Sequence, residues 1–120
     1  MAELVALDLP GGELFVTALQ RVWEQGDAAF PLDPRLPGPA RDRVLDALAP
    51  SSVIGADGDV TPRRGGRPVE PGDALVMATS GSTGDPKGVV LTHAALAAHA
   101  HGVHLRLGVD AATDRWLACL

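Results

Sequence analysis

Ten consecutive positions, Thr79 to Gly88, gather three glycines, four hydroxyl side chains and one lysine. They read Thr79, Ser80, Gly81, Ser82, Thr83, Gly84, Asp85, Pro86, Lys87 and Gly88. Glycines leave backbone N–H groups unobstructed by a Cβ atom. Hydroxyls donate hydrogen bonds, and the lysine supplies a positive charge. That combination suits the holding of phosphate oxygens. Lys87 is the only lysine of the chain, and the other nine basic residues are arginines, so composition alone does not account for it. The spacing excludes one phosphate-binding class. A Walker A loop needs Gly-Lys-Ser/Thr after four free positions. Counted from Gly81, the fifth position on is Pro86, and Lys87 is followed by Gly88.

Around this loop stand elements that could position it. The apolar run Ala74 to Ala78 leads in and Val89-Val90-Leu91 leads out. A flexible Gly/Ser linker rarely sits between two such β-prone runs. The expected arrangement is therefore strand, polar loop, strand, with antiparallel pairing. Thr92 is a good N-cap for an alanine-rich helix over His93 to Leu107, which Gly108 closes.

Upstream, Leu4 to Leu9 reads as a strand or extended lead ended by Pro10-Gly11-Gly12. Glu13 to Gln25 has helical spacing, with Phe15, Ala18, Leu19 and Val22 on one face and Gly26 as the stop. Ala28-Ala29-Phe30 is a short buried strand, and the proline-rich 31–39 stretch is loop. Asp33 there is expected to bond nearby backbone. Pro39 opens a second helix with Val44, Leu45 and Leu48 inward and Arg41, Asp42, Arg43 and Asp46 toward solvent. Ser52-Val53-Ile54 is a further strand. Helices alternating with short strands imply crossover units and a parallel sheet. The organisation expected is one unit over 1–120: α/β elements over 1–54, a polar loop over 55–72, and the loop-bearing strands with their helix over 73–120.

Net charge is −5, which argues against a general nucleic-acid surface. The charge is uneven: residues 1–60 hold 4 basic and 10 acidic side chains, residues 61–120 hold 6 and 5. The phosphate-type loop falls in the less acidic half. The single cysteine, Cys119, fits a reducing, cytoplasmic setting. No apolar run reaches membrane-spanning length. His93, His101 and His104 fall on one broad helix face, but no carboxylate or cysteine converges on them in sequence, so packing or surface roles are expected.

The run from Thr79 through Gly88 into Val89 resembles the phosphate-binding signature of the adenylate-forming superfamily: acyl-CoA synthetases, peptide-synthetase adenylation domains and luciferases. A second stretch, Trp23 to Asp33, is similar to that family's upstream helix, short strand and Pro-Leu-Asp segment, with Asp27 standing where a small residue is usual. Met77-Ala78 before the loop and the short N-terminal lead point toward ligases like o-succinylbenzoate–CoA ligase.

The resemblance implies a partial N-terminal domain with a parallel-type α/β layer and a strand–loop–strand phosphate motif. It implies an ATP-dependent, AMP-forming acyl-CoA ligase that activates a carboxylic acid, with Mg²⁺ and coenzyme A as further participants. Thr79, Ser80, Gly81, Ser82, Thr83, Gly84 and Lys87 would hold the β- and γ-phosphates, Thr83 beside Mg²⁺. The alternatives are a peptide-synthetase adenylation fragment and a non-catalytic phosphate-binding or truncated module. No tyrosine occurs for the family's Tyr-Gly-x-Thr-Glu motif, and no lysine follows Lys87. The chain alone is therefore expected not to catalyse adenylation, and to need the remainder of a ligase as its partner.

Overall fold

The computed structural model describes residues 1–80 and 84–116. Leu4–Leu7 (β1) is buried on both faces, which is why its sequence is a continuous apolar run rather than an alternation. Glu13–Glu24 (α1) crosses over to Ala28–Pro31 (β2), which lies parallel to β1 with Val5 opposite Ala29. Gly38–Leu48 (α2) crosses back to Ser52–Ile54 (β3), parallel to the other side of β1. Val60–Pro62 (β4) pairs antiparallel with β3. Asp73–Ser80 (β5) lies parallel to β2, and Pro86–Thr92 (β6) returns antiparallel along β5. His93–Leu107 (α3) follows. The sheet has six strands in the order β4-β3-β1-β2-β5-β6. The parallel layer expected from the helix–strand alternation is thus present, bounded at each edge by an antiparallel strand.

The two-residue period of the strands sorts the core into two layers. Leu4, Ala6, Ala28, Phe30 and Val76 face α2, where Leu45 and Leu48 cover them. Val5, Leu7, Ala29 and Ile54 face α1, which contributes Val22 with Phe15, Ala18 and Leu19 around it. Phe30 and Leu7 are fully buried, and each burial stabilises by about 1.5–3 kcal/mol. Trp23 covers the edge of this core: its indole Nε1–H donates to the Ala74 carbonyl at 2.9 Å, tying α1 to β5. Helix α2 has Pro in its first turn, and ends at Ala49, a left-handed residue (φ 48°, ψ 59°) whose N–H bonds Leu45 O. Arg41 of α2 forms a half-buried ion pair with Asp8, just past β1.

The 55–72 segment corrects the expectation of a plain polar loop. It carries β4 and runs laced along the sheet edge. Arg63 N–H donates to Ser51 O at 2.7 Å and Arg67 N–H to Ala49 O at 2.8 Å, while Pro68 bridges Glu3. Arg63 also pairs with Asp46 at 3.0 Å, which ties this segment to α2. Every side chain of β4 is exposed, and backbone bonding alone makes the strand. No helix among the described residues is long and apolar enough to cross a membrane.

Candidate functional site

The glycine- and hydroxyl-rich segment is the tip of the β5–β6 hairpin. The ladder runs to its end: Ala78 is opposite Gly88, Thr79 opposite Lys87 and Ser80 opposite Pro86. Side chains of an antiparallel pair lie on the same face of the sheet. A Cβ on Gly88 would point at α2, 2.9 Å from Leu48 Cδ2 and 2.7 Å from Val76 Cγ1. Ala78 and Gly88 therefore face α2, and the next pair, Thr79 and Lys87, faces away from it. One hydroxyl and the chain's one lysine thus share a face at the base of the turn. Both are exposed, and no ion pair to Lys87 occurs among the described residues. Thr79 Oγ1 makes only a long 3.4 Å contact to Lys87 O, so its hydrogen remains easily redirected.

Gly84 has φ +86°, a left-handed backbone that a residue with a Cβ adopts at a cost. Its carbonyl oxygen accepts a 2.7 Å hydrogen bond from Arg43 Nη2 of α2. The sequence pattern puts Arg43 simply on the solvated face of its helix. No local signal points to a partner 41 residues further on. Gly81, Ser82 and Thr83, among them the expected magnesium neighbour, lie outside the described residues, as does Cys119.

Between the hairpin and α2 lies a cleft of about 450 Å³. Leu36, Val44 and Ala78 give it an apolar wall, and Arg43, Ser80 and Gly84 lie along its rim. A larger cleft of about 600 Å³ opens on the α1 face, between Leu14, Ala18, Ile54 and Val60. It contains no residue of the hairpin. At the edge of the first cleft, Asp33 Oδ1 accepts from both Arg35 N–H (2.9 Å) and Arg35 Nε (3.0 Å). These bonds from Arg35 hold the exposed Asp33 carboxyl below the usual carboxylate range. Asp33 is thus a turn residue bonding its own neighbourhood, as the proline-rich context implies.

Two of the four histidines pack against tryptophans. His93 packs edge-on against Trp23, with centroids 5.0 Å apart, and His104 stacks on Trp116 at 6.2 Å. No cluster of metal-ligating side chains occurs among the described residues. Thr92 caps α3 by accepting from Ala95 N–H at 3.1 Å, and Gly108 closes it in left-handed geometry.

Comparison with known proteins gives this arrangement a setting. Residues 59–120 match the AMP-binding enzyme family. A probable non-canonical nonribosomal peptide synthetase of Salinispora arenicola is 39% identical over 104 residues, covering 83% of this chain and 1% of that protein. A probable 2-succinylbenzoate–CoA ligase of Mycobacterium tuberculosis is 40% identical over 106 residues, covering 86% of this chain and 23% of the ligase. In fold, the chain is similar to a long-chain-fatty-acid–CoA ligase of Archaeoglobus fulgidus. The TM-score is 0.72 at 21% identity, over 91% of this chain and 29% of that one. The chain thus spans less than a quarter of the length of these two curated relatives.

Proposed function

This chain belongs to the AMP-binding enzyme family, and on that premise we propose that it is the N-terminal, phosphate-holding part of an AMP-forming acid–thiol ligase. The whole ligase would activate a carboxylate as its acyl-adenylate and pass the acyl group to coenzyme A. The observation that carries this reading is the Thr79–Lys87 pair, which sets a hydroxyl and a lone lysine on one face of a glycine-bearing turn. When a carboxylate attacks the α-phosphate of ATP, negative charge grows on the departing pyrophosphate. Fixed N–H donors and a nearby cation are worth most where charge develops. In this reading Thr79, Ser80, Gly84 and Lys87, with Gly81, Ser82 and Thr83, hold the β- and γ-phosphates. Bound Mg²⁺ would add positive charge beside the same oxygens, and Thr83 is the hydroxyl nearest to that role in the sequence. The 1–120 segment supplies no second lysine and no tyrosine for the later steps. Alone it would bind without turning over.

A second reading within the family is favoured by the 39% identity to a peptide synthetase. There the acyl acceptor is a carrier-bound pantetheine. Thioester formation by the complete enzyme, with coenzyme A or a carrier protein offered separately, distinguishes the two. The phosphate role itself is tested on this chain by titration calorimetry with pyrophosphate and with ATP in magnesium buffer. Binding is expected, and Lys87→Ala should weaken it about tenfold, the scale of one charge-assisted contact. A wild-type chain that binds neither ligand, or a Lys87→Ala chain that binds as well, overturns the reading.

A further inference from the structure

The phosphate loop has one side-chain tie to the layer beneath it among the described residues, and it comes from a helix the loop chemistry does not otherwise involve. Arg43 of α2 donates from Nη2 to the Gly84 carbonyl at 2.7 Å. In a trans peptide the C=O and the following N–H point in opposite directions. Holding the Gly84 oxygen toward α2 therefore turns the Asp85 N–H away from α2. Lys87 projects to that same side, because its neighbour Gly88 faces Leu48 of α2. A loop that binds anions through its backbone must keep N–H groups inward and carbonyl oxygens outward, since a carbonyl turned inward would repel the anion.

We propose that Arg43 is a positioning residue for this loop: it draws the Gly84 carbonyl outward and so presents the Asp85 N–H on the Lys87 side, to the oxygens of a bound pyrophosphate. This rests on the phosphate-holding role proposed above. Arg43 acts from the opposite face of the hairpin and touches no phosphate itself. Gly84, at φ +86°, is the residue whose backbone takes this orientation with least strain. The arginine stem also lies along the cleft beside Val44, so truncation to alanine would mix lost packing with the lost bond. Arg43→Met keeps most of the stem and removes the donors together with the charge, whereas Arg43→Lys keeps the charge.

The test uses this chain, its Lys87→Ala control, and Arg43→Met and Arg43→Lys. Amide resonances are recorded without ligand, and pyrophosphate affinity is then measured by titration. Arg43→Met is expected to shift the Asp85 amide signal before any anion is added and to weaken pyrophosphate binding about fivefold, the scale of one ordinary hydrogen bond. Arg43→Lys should restore most of both effects, and the melting temperature should change little. A role limited to long-range charge would leave the anion-free Asp85 signal unmoved, and that result overturns the proposal. So does a pyrophosphate-dependent shift of the Arg43 Nε–H signal as large as that seen at the Asp85 amide, which would make Arg43 a ligand. Binding that depends on Lys87 but not on Arg43 sinks this inference alone. A wild-type chain that binds no pyrophosphate removes the phosphate-holding role and this one with it.

Discussion

Gly88→Ala is the perturbation whose outcome the structure fixes most closely. Gly88 lies one residue past Lys87 on β6, where α2 crosses the hairpin. A methyl there would sit 2.7 Å from Val76 Cγ1 and 2.9 Å from Leu48 Cδ2. Ordinary carbon–carbon contact is about 3.5–4.0 Å, so both neighbours would have to retreat by about 0.6–1.3 Å. Neither is free to do so. Val76 is 5% exposed and Leu48 8%, both belong to the core layer under α2, and valine in a strand is stiff about χ1. Overpacking of this kind costs about 1–3 kcal/mol. Replacing glycine also lowers the entropy of the unfolded chain, which returns about 0.5–1 kcal/mol. The net loss is about 1–2 kcal/mol, or about 4–8 °C in melting temperature for a chain of this size. Urea and thermal unfolding followed by tryptophan fluorescence would measure it. The cause is identified by a cycle with Val76→Ala, which removes the nearer clashing carbon. In that background the Gly88→Ala penalty should shrink by about 1 kcal/mol. Gly102 is the control. It sits inside α3, where a methyl would meet nothing within 4 Å, so Gly102→Ala should stabilise by about 1 kcal/mol. A Gly88→Ala chain as stable as wild type, or a penalty unmoved by Val76→Ala, would refute the packing argument.

Further outcomes follow from other contacts. Trp23→Phe keeps an aromatic at the α1–β5 junction but leaves the Ala74 carbonyl without its 2.9 Å donor, and should cost about 1–2 kcal/mol in urea unfolding. Asp33 has a folded-state pKa below its unfolded value, so its contribution is complete above the ordinary carboxylate range and disappears as pH falls through the lowered value. Asp33→Asn should therefore flatten the acid limb of a melting-temperature profile taken from about pH 6 to about pH 2, and the effect should fade in salt because the pair is exposed. An unchanged acid limb would show that this pair adds nothing. Thr92→Ala removes the cap on Ala95 N–H and should fray the first turn of α3, seen as faster amide exchange at Ala94 to Ala97, with about 1 kcal/mol lost.

The parts legible in sequence were those written by local periodicity and chain punctuation. Phe15, Ala18, Leu19 and Val22 mark the buried side of α1 because a helix repeats on one face, and Thr92 and Gly108 bracket α3 because each has a distinct capping chemistry. Strand β4 left no such mark. Its side chains are all exposed, and Pro62 ends it, which an edge strand tolerates. Its pairing is a backbone matter that no apolar alternation reports. The chemistry of Thr79 to Lys87 could be read from composition and spacing, but not which faces its residues share. That needed the register of β5 against β6, and the side on which Gly88 meets α2. Arg43 was hidden for a similar reason: a contact spanning 41 residues has no local signature.

Strand β5 meets its inner neighbour β2 at one pair, Ala29 with Leu75, whereas its ladder with β6 continues to Ser80 and Pro86. Mechanically the hairpin is a cantilever rooted at Leu75. At about 3.4 Å per residue, the root lies about 17 Å from Ser80. A rotation of about 5° at the root would therefore carry the tip through about 1.5 Å, half the length of a hydrogen bond. The Arg43–Gly84 bond works near the free end of that beam, where a single strut has the greatest leverage. The placement of the hairpin tip is thus governed less by the residues within it than by how stiffly its supports, the Leu75 root, the packing of α2 under Val76 and Gly88, and the Arg43 strut, hold the beam between them.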